Sequence, residues 1–233
     1  MKTNYKNEIY KIIEISYKHK VSHIPSALSQ MMYFKYIIPR VKDFDWVAGK
    51  QFGWQAYVVY DERIKPEEID VILLNGINKE FKYIEETLGN SLGVSIGLAL
   101  TQDKPIWLNV SDSIFQMGRV LEALPLLKKF NSNILMTIDF NNISRSKDNL
   151  YQKPYLKNLM DIYGIKTIYI DFENLNIKEI DNFINLSEPR VIIFETIKGF
   201  GVNAFIQDPV EWHYKTLNEI EYKNILEELW ENF

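Results

Sequence analysis

The chain has 233 residues, enough for one sizeable domain, and it is 46% hydrophobic and 14% aromatic, which excludes disorder as its main state. A formal net charge of -4 argues against nucleic acid or a membrane surface as partner, and the lack of cysteine excludes disulfides, cysteine–zinc centres and thiol catalysis. The opening "MKTNYKNEIYKIIEISYKHK" has no apolar core of a signal peptide, and no run approaches the ~20 apolar residues of a membrane span, so the sequence predicts a cytoplasmic protein.

In chain order, "NEIYKIIEISYKHK" carries apolar residues at helical spacing, and "SALSQMMYFKYII" predicts a second helix after Pro25. "ETLGNSLGVSIGLAL" sets Gly89, Gly93 and Gly97 at steps of four, a glycine face for close packing against a neighbour. Beyond it the texture alternates. "PIWLNV", "NILMTIDF", "KTIYIDF" and "PRVIIFET" are short apolar runs rich in Ile, Val and aromatics, and they predict strands. Between them "FQMGRVLEALPLLKKF", "YLKNLMDIYG" and "IKEIDNFINL" have helical period. The alternation predicts an α/β fold: a doubly wound, mostly parallel sheet with helices on both faces, in one domain spanning 1–233. "TLNEIEYKNILEELWENF" reads as a last amphipathic helix, with Thr216 as N-cap and Glu219 completing a capping box.

Open α/β sheets bind ligands at the carboxyl ends of their strands. Asp112 stands at such an end, before a predicted helix, and Asn141 follows the next strand. One strand–helix–strand unit brings the two side by side, where a carboxylate and an amide oxygen can hold a hard divalent cation. A helix N-terminus after Asp112 would favour an anion, so the pair can form a metal–diphosphate site. Asp112 can equally be a helix cap. "KGFG" at 198–201 admits a strand-end turn or a phosphate loop, and Trp46, Trp54, Trp107 and Trp212 admit core packing or ligand stacking.

The stretch from "SDS" through "GRVLEA" to "FNNIS" resembles the thiamine diphosphate motif of the transketolase family: Gly-Asp-Gly, a helix with Gly-x-x-x-Glu-Ala, a strand, then Asn. The resemblance implies thiamine diphosphate with magnesium or calcium, the metal held by Asp112, the Asn141 side chain and the Ile143 carbonyl, with Ser111 and Ser113 beside the cofactor. Other segments match in family order. "HKVSHIPSALS" resembles the N-terminal "HxGHxGSALS", which implies His23 near the reacting carbon. "GKQFGWQAY" resembles "SKGHAALALY". "TLGNSLGVSIGLAL" resembles "SLGQGLSVAVGMAL", which puts Leu88 against the cofactor and Glu86 where the family has glycine. "VIIFETIKGFGV" and "WHYKTLNEIEY" resemble "VIIAKTVKGKGV" and "WHGKAPNEEEY", which implies that His213 reaches the diphosphate and substrate.

Several positions depart from the pattern. Gly-Asp-Gly-Glu is Ser111-Asp112-Ser113-Ile114 here, the histidine of "SKGH" is Phe52, and a Gly-His-Pro histidine has no counterpart in "NGINKEFKYIEE". Of the chain's three histidines, His19 reads as a surface residue of the first helix. In the family, the glutamate that protonates the aminopyrimidine belongs to a second domain. The resemblance therefore implies the N-terminal subunit of a split transketolase, working with a C-terminal, pyrimidine-binding subunit as an α2β2 assembly. The implied reaction moves a two-carbon ketol unit between sugars or sugar phosphates, and the missing histidines suggest a pathway-specific substrate. Two other readings stay open: a cofactor-free scaffold or regulatory subunit, and a thiamine diphosphate lyase or decarboxylase.

Overall fold

The structure is a computed structural model and describes residues 5–50, 53–61, 63–65, 80–85, 87–143 and 153–231. Its centre is a six-stranded sheet: β1 (Asp45–Ala48), β2 (Phe81–Ile84), β3 (Ile106–Ser111), β4 (Ile134–Phe140), β5 (Lys166–Ile170) and β6 (Arg190–Glu195). The strand order is β2-β1-β3-β4-β6-β5 and every pairing is parallel. The chain leaves β1 for β2 on one side, then returns to lay β3 on the other side of β1. The sheet's switch point, and the crevice it opens, therefore lies between the ends of β1 and β3.

Two apolar clusters cover the two faces. Trp46, Ala48, Trp107, Leu135, Ile192 and Phe194 face one way and pack on α1 (Lys6–Lys18), α2 (Ile24–Ile37) and α3 (Trp54–Tyr60). The alternate residues Val47, Leu108, Met136 and Ile193 face the other way, beneath α4 (Ser91–Ala99), α5 (Gly118–Lys129) and α6 (Lys153–Ile162). α7 (Ile177–Ile184) and α9 (Glu219–Glu231) close the first face, and the short α8 (Asn203–Gln207) carries the buried Phe205 there. β4 is buried at all seven of its positions, as a central parallel strand covered on both faces must be. All four tryptophans named above are buried, and the rings of Trp46 and Trp107 meet edge to face at 4.8 Å, so they are core.

The structure corrects several expectations. β1 and β2 are two strands beyond the four expected, and α3 and α8 are further helices. Asp112–Gln116 is a 3₁₀ turn and the α-helix starts only at Gly118, so no α-helix N-terminus follows Asp112 directly. Gly89 is not on the helix face. It takes φ 95° in the turn before α4, where a Cβ would meet Met117, Arg119 and Val120. Gly93 and Gly97 are on α4, but beyond their chain neighbours and the helix's own backbone no described atom lies within 4 Å of an added Cβ at either. The last helix is capped by Asn218, not Thr216: Asn218 Oδ1 accepts from Glu221 N at 2.9 Å, and Glu221 Oε2 accepts from Asn218 N at 3.0 Å. His19 is half-buried at the end of α1. No helix of the described residues is long and apolar enough to cross a membrane.

Candidate active site

A cavity of about 420 Å³ opens across the ends of β2, β1, β3, β4 and β6. His23, Leu88, Ser111, Asp112, Ser113, Asn141, Ile143 and His213 all line it, so eight of the nine residues expected at the site share one space. The ninth, Glu86, lies outside the described residues, as do Phe52 and part of "NGINKEFKYIEE".

At the end of β3, Ser111 is extended (φ -93°, ψ 158°), and neither it nor Ser113 takes a positive φ. Serine therefore stands without strain where the resembling motif has glycine. The two hydroxyls pair with each other at 2.6 Å. Asp112 is 4% exposed, and its Oδ2 accepts the backbone N–H of Asn142 at 2.7 Å. It ties β3 to the loop after β4 rather than capping a helix. Burial, and then the charge of Asp139, pushes the Asp112 carboxyl up to about 6, against the pull of Asn142 N–H and Lys50.

Past β4, Asn142 turns the chain with a φ of 58°, a conformation asparagine tolerates better than most residues. Asn141 Oδ1 accepts from Ile143 N at 3.1 Å, and Ile143 O accepts from Lys198 Nζ at 3.1 Å. Asp112, Asn141 and Ile143 thus offer one carboxylate, one amide oxygen and one carbonyl. Each already accepts at least one hydrogen bond, and each keeps lone pairs to spare. Among the described residues no group of three or more His, Cys, Asp or Glu could hold a metal ion. A cation here would rest on this neutral-rich oxygen set, which suits magnesium or calcium with phosphate oxygens completing the shell.

Beneath these loops Asp139 is fully buried. It pairs with Lys50 and Thr196, accepts from Ser29 Oγ at 2.7 Å and from Asn141 Nδ2 at 3.3 Å. Lys198 sits in the turn after β6, where Gly199 takes φ 82°. A Cβ at Gly199 would fall 2.6 Å from Phe205 Cβ, so the turn requires glycine. Burial, and then repulsion from Lys50, lowers the Lys198 ammonium to about 8, against Asp139 and Asp112. Its Nζ lies 3.1 Å from His213 Nδ1.

His23 takes φ 60° just before α2, its N–H donates to His213 O at 3.2 Å, and its Nδ1 lies 2.8 Å from Ser22 Oγ. The His23 and His213 rings meet edge to face at 4.8 Å. Burial first, then the charges of His213, Lys198 and Lys50, lowers His23 to about 3, so its imidazole is neutral at neutral pH. Leu88 is 37% exposed at the rim.

Sequence reasoning missed three charged residues of the cavity. Lys50 and Lys198 are both buried and line it, as does Glu85 at the end of β2. The signal for Lys198 was present in "KGFG", which is both a strand-end turn and the carrier of a cavity-facing cation. The signal for Lys50 was "AGKQ", visible only once "DWVA" is known to be a strand.

No family model matches the sequence, and no curated protein matches it. Among solved structures, the chain is similar to a transketolase from Leishmania mexicana, with a TM-score of 0.71 at 15% identity, over 98% of this chain and 41% of that one. A transketolase from Campylobacter jejuni gives a TM-score of 0.71 at 17% identity, over 96% of this chain and 42% of that one. A mutant transketolase from Pichia stipitis in complex with fructose 6-phosphate gives 0.62 at 16% identity, over 99% and 44%. The chain has the fold of the part of these transketolases that it covers, about two fifths of their length.

Proposed function

We propose that this cavity binds thiamine diphosphate through a divalent cation, and that the chain is the N-terminal subunit of a cytoplasmic, transketolase-like transferase. The observation that carries the reading is the convergence of Asp112, Asn141, Ile143, Lys198 and His213 on one cavity at the strand ends. The three oxygens suit magnesium, and the buried Lys198 and half-buried His213 suit the diphosphate it would bridge. When bound, thiamine diphosphate supplies the electron sink for carbon–carbon bond cleavage and formation. The chain's own work is placement. Asp112, Asn141 and Ile143 hold the cation, Lys198 and His213 donate to phosphate oxygens, and Leu88 walls the cofactor. Neutral His23 exchanges hydrogen bonds with substrate hydroxyls.

The reading includes a second polypeptide carrying the pyrimidine-binding half, joined as an α2β2 assembly, and transfer of a two-carbon ketol unit between sugars or sugar phosphates. Phe52 and the missing Gly-His-Pro histidine favour an unusual or deoxygenated sugar. Titration of thiamine diphosphate and magnesium into the chain, with and without the partner subunit, tests it. Magnesium-dependent binding that strengthens with the partner is expected, and no binding in either state overturns it. A second reading, a cofactor-free scaffold, is favoured by the hydrogen bonds that already engage all three candidate metal oxygens. The same titration decides between the two.

A further inference from the structure

Glu85 directly follows β2, lines the cavity and is 2% exposed. Its Oε1 accepts the backbone N–H of Ser91, the first residue of α4, at 2.6 Å. Its Oε2 is buried and has no hydrogen-bond partner among the described residues. A helix cap needs only one oxygen, so the cap accounts for half of this carboxylate. The other half is a desolvated anion, and a buried carboxylate is stable only when paired. Burial accordingly raises its proton affinity, opposed only by neutral hydrogen-bond donors, the Ser91 N–H and hydroxyl and the backbone N–H groups of Asn90 and Gly89, with no basic side chain among them.

Position supplies the second argument. Along the sheet, Glu85 is at the end of β2, followed by β1, β3, β4 and β6. Neighbouring strands are ~4.8 Å apart, so the Glu85 backbone lies three spacings, roughly 14 Å, from the Asn141 strand end. Lys198 follows β6, one strand further. The cavity therefore has an anion-binding end and, across its width, a buried carboxylate, with Leu88 beside that carboxylate as an apolar wall. A ligand that complements both ends is negative at one end and carries a flat positive ring at the other.

We propose that Glu85 is a ligand-positioning residue whose cavity-lining carboxylate pairs with the cationic ring of a diphosphate-bearing ligand. This rests on the cofactor reading above, under which the ring is the thiazolium of thiamine diphosphate. The pairing orients the ligand by its charge, and it neutralises a buried cavity carboxylate that has no basic side chain among the groups acting on it.

Calorimetry on the full chain with magnesium, using three probes, tests it: thiamine diphosphate, an analogue with carbon in place of the ring nitrogen and hence a neutral ring, and inorganic diphosphate. Glu85→Gln keeps an acceptor for Ser91 N–H but removes the charge. It should weaken thiamine diphosphate about tenfold, while affinity for the neutral-ring analogue and inorganic diphosphate stays within about twofold. Equal losses for all three probes, or no loss for any, would reduce Glu85 to a helix cap and overturn the proposal. Wild-type chain that binds thiamine diphosphate no better than inorganic diphosphate would instead overturn the cofactor reading, and this inference with it. If the glutamine variant does not fold, the wild type still decides. Preference for the cationic over the neutral ring supports the pairing; equal or reversed preference refutes it.

Discussion

Asp112 Oδ2 and the backbone N–H of Asn142 are 2.7 Å apart, and this contact joins the ends of two adjacent strands. The same carboxylate serves as a loop tie and as a candidate metal ligand. Asp112→Asn separates the roles, because an amide oxygen still accepts the N–H but carries no charge. We expect the variant to keep its melting temperature within a few degrees while thiamine diphosphate affinity loses its magnesium dependence, a drop of about 10²-fold at saturating metal. Titrations with and without magnesium check this. An unchanged magnesium dependence would remove Asp112 from the metal site.

His23 gives a pH prediction. Its folded pKa is lowered to about 3 from 6.5, so between those values the unfolded chain holds the extra proton. Stability from this group is full above about pH 6.5 and falls as pH falls toward 3. From pH 7 to pH 5 the loss is about 2 kcal/mol. His23→Asn suits the positive φ and does not titrate there, so its stability should fall by about 2 kcal/mol less over that range. The difference between the two proteins is the readout, because Asp112, raised to about 6, contributes a slope of opposite sign. Parallel urea-unfolding curves at both pH values for the two proteins would contradict the assignment.

The Lys50–Asp139 pair is buried on both sides. Asp139→Ala strands a buried ammonium and removes the acceptor for Ser29, Thr196 and Asn141, so we expect a loss of about 3–5 kcal/mol. Adding Lys50→Met should recover a large part of it, since the residual cost is then only the hydroxyl and amide donors. Denaturant unfolding of the two single variants and the double variant measures the coupling, and strict additivity would show that the pair is not coupled.

Gly199→Ala probes the turn that aims Lys198. The new Cβ would sit 2.7 Å from the Phe205 carbonyl carbon at φ 82°, a clash with backbone that no rotamer change relieves. We expect a loss of roughly 2–4 kcal/mol, with weaker inorganic diphosphate binding because the neighbouring ammonium moves. A variant as stable as wild type, with full diphosphate affinity, would show that the turn does not position Lys198.

The legible part of this fold is its centre. "NILMTIDF" reads as a strand because it is apolar throughout, and β4 is covered on both faces. The illegible part is the edge that completes the crevice. "DWVA" and "FKYI" are four residues each, and both carry a charged residue; Asp45 is held by Lys104 and Gln102 at the start of β1. Without those strands the place of Lys50 and Glu85 cannot be read, because each matters only by standing at a strand end. Glu86, singled out from the sequence, lies outside the described residues, and its neighbour Glu85 was not singled out although it lines the cavity. Motif order did better: it brought His23 and His213 to one cavity from opposite ends of the sequence, which no local pattern could do.

The hydrogen bond from His23 N–H to His213 O has a temporal meaning during synthesis. It joins the start of α2 to a residue that follows the last strand, so the cavity wall closes only after nearly the whole described chain has left the ribosome. The sheet shows the same delay: β4 waits for β6, and Lys198 follows β6. Contacts this distant in sequence form late. A ligand that needs Lys198 and His213 therefore cannot guide the early collapse of this protein. It can only select the finished fold, and its stabilising effect should be seen in slower unfolding rather than faster folding.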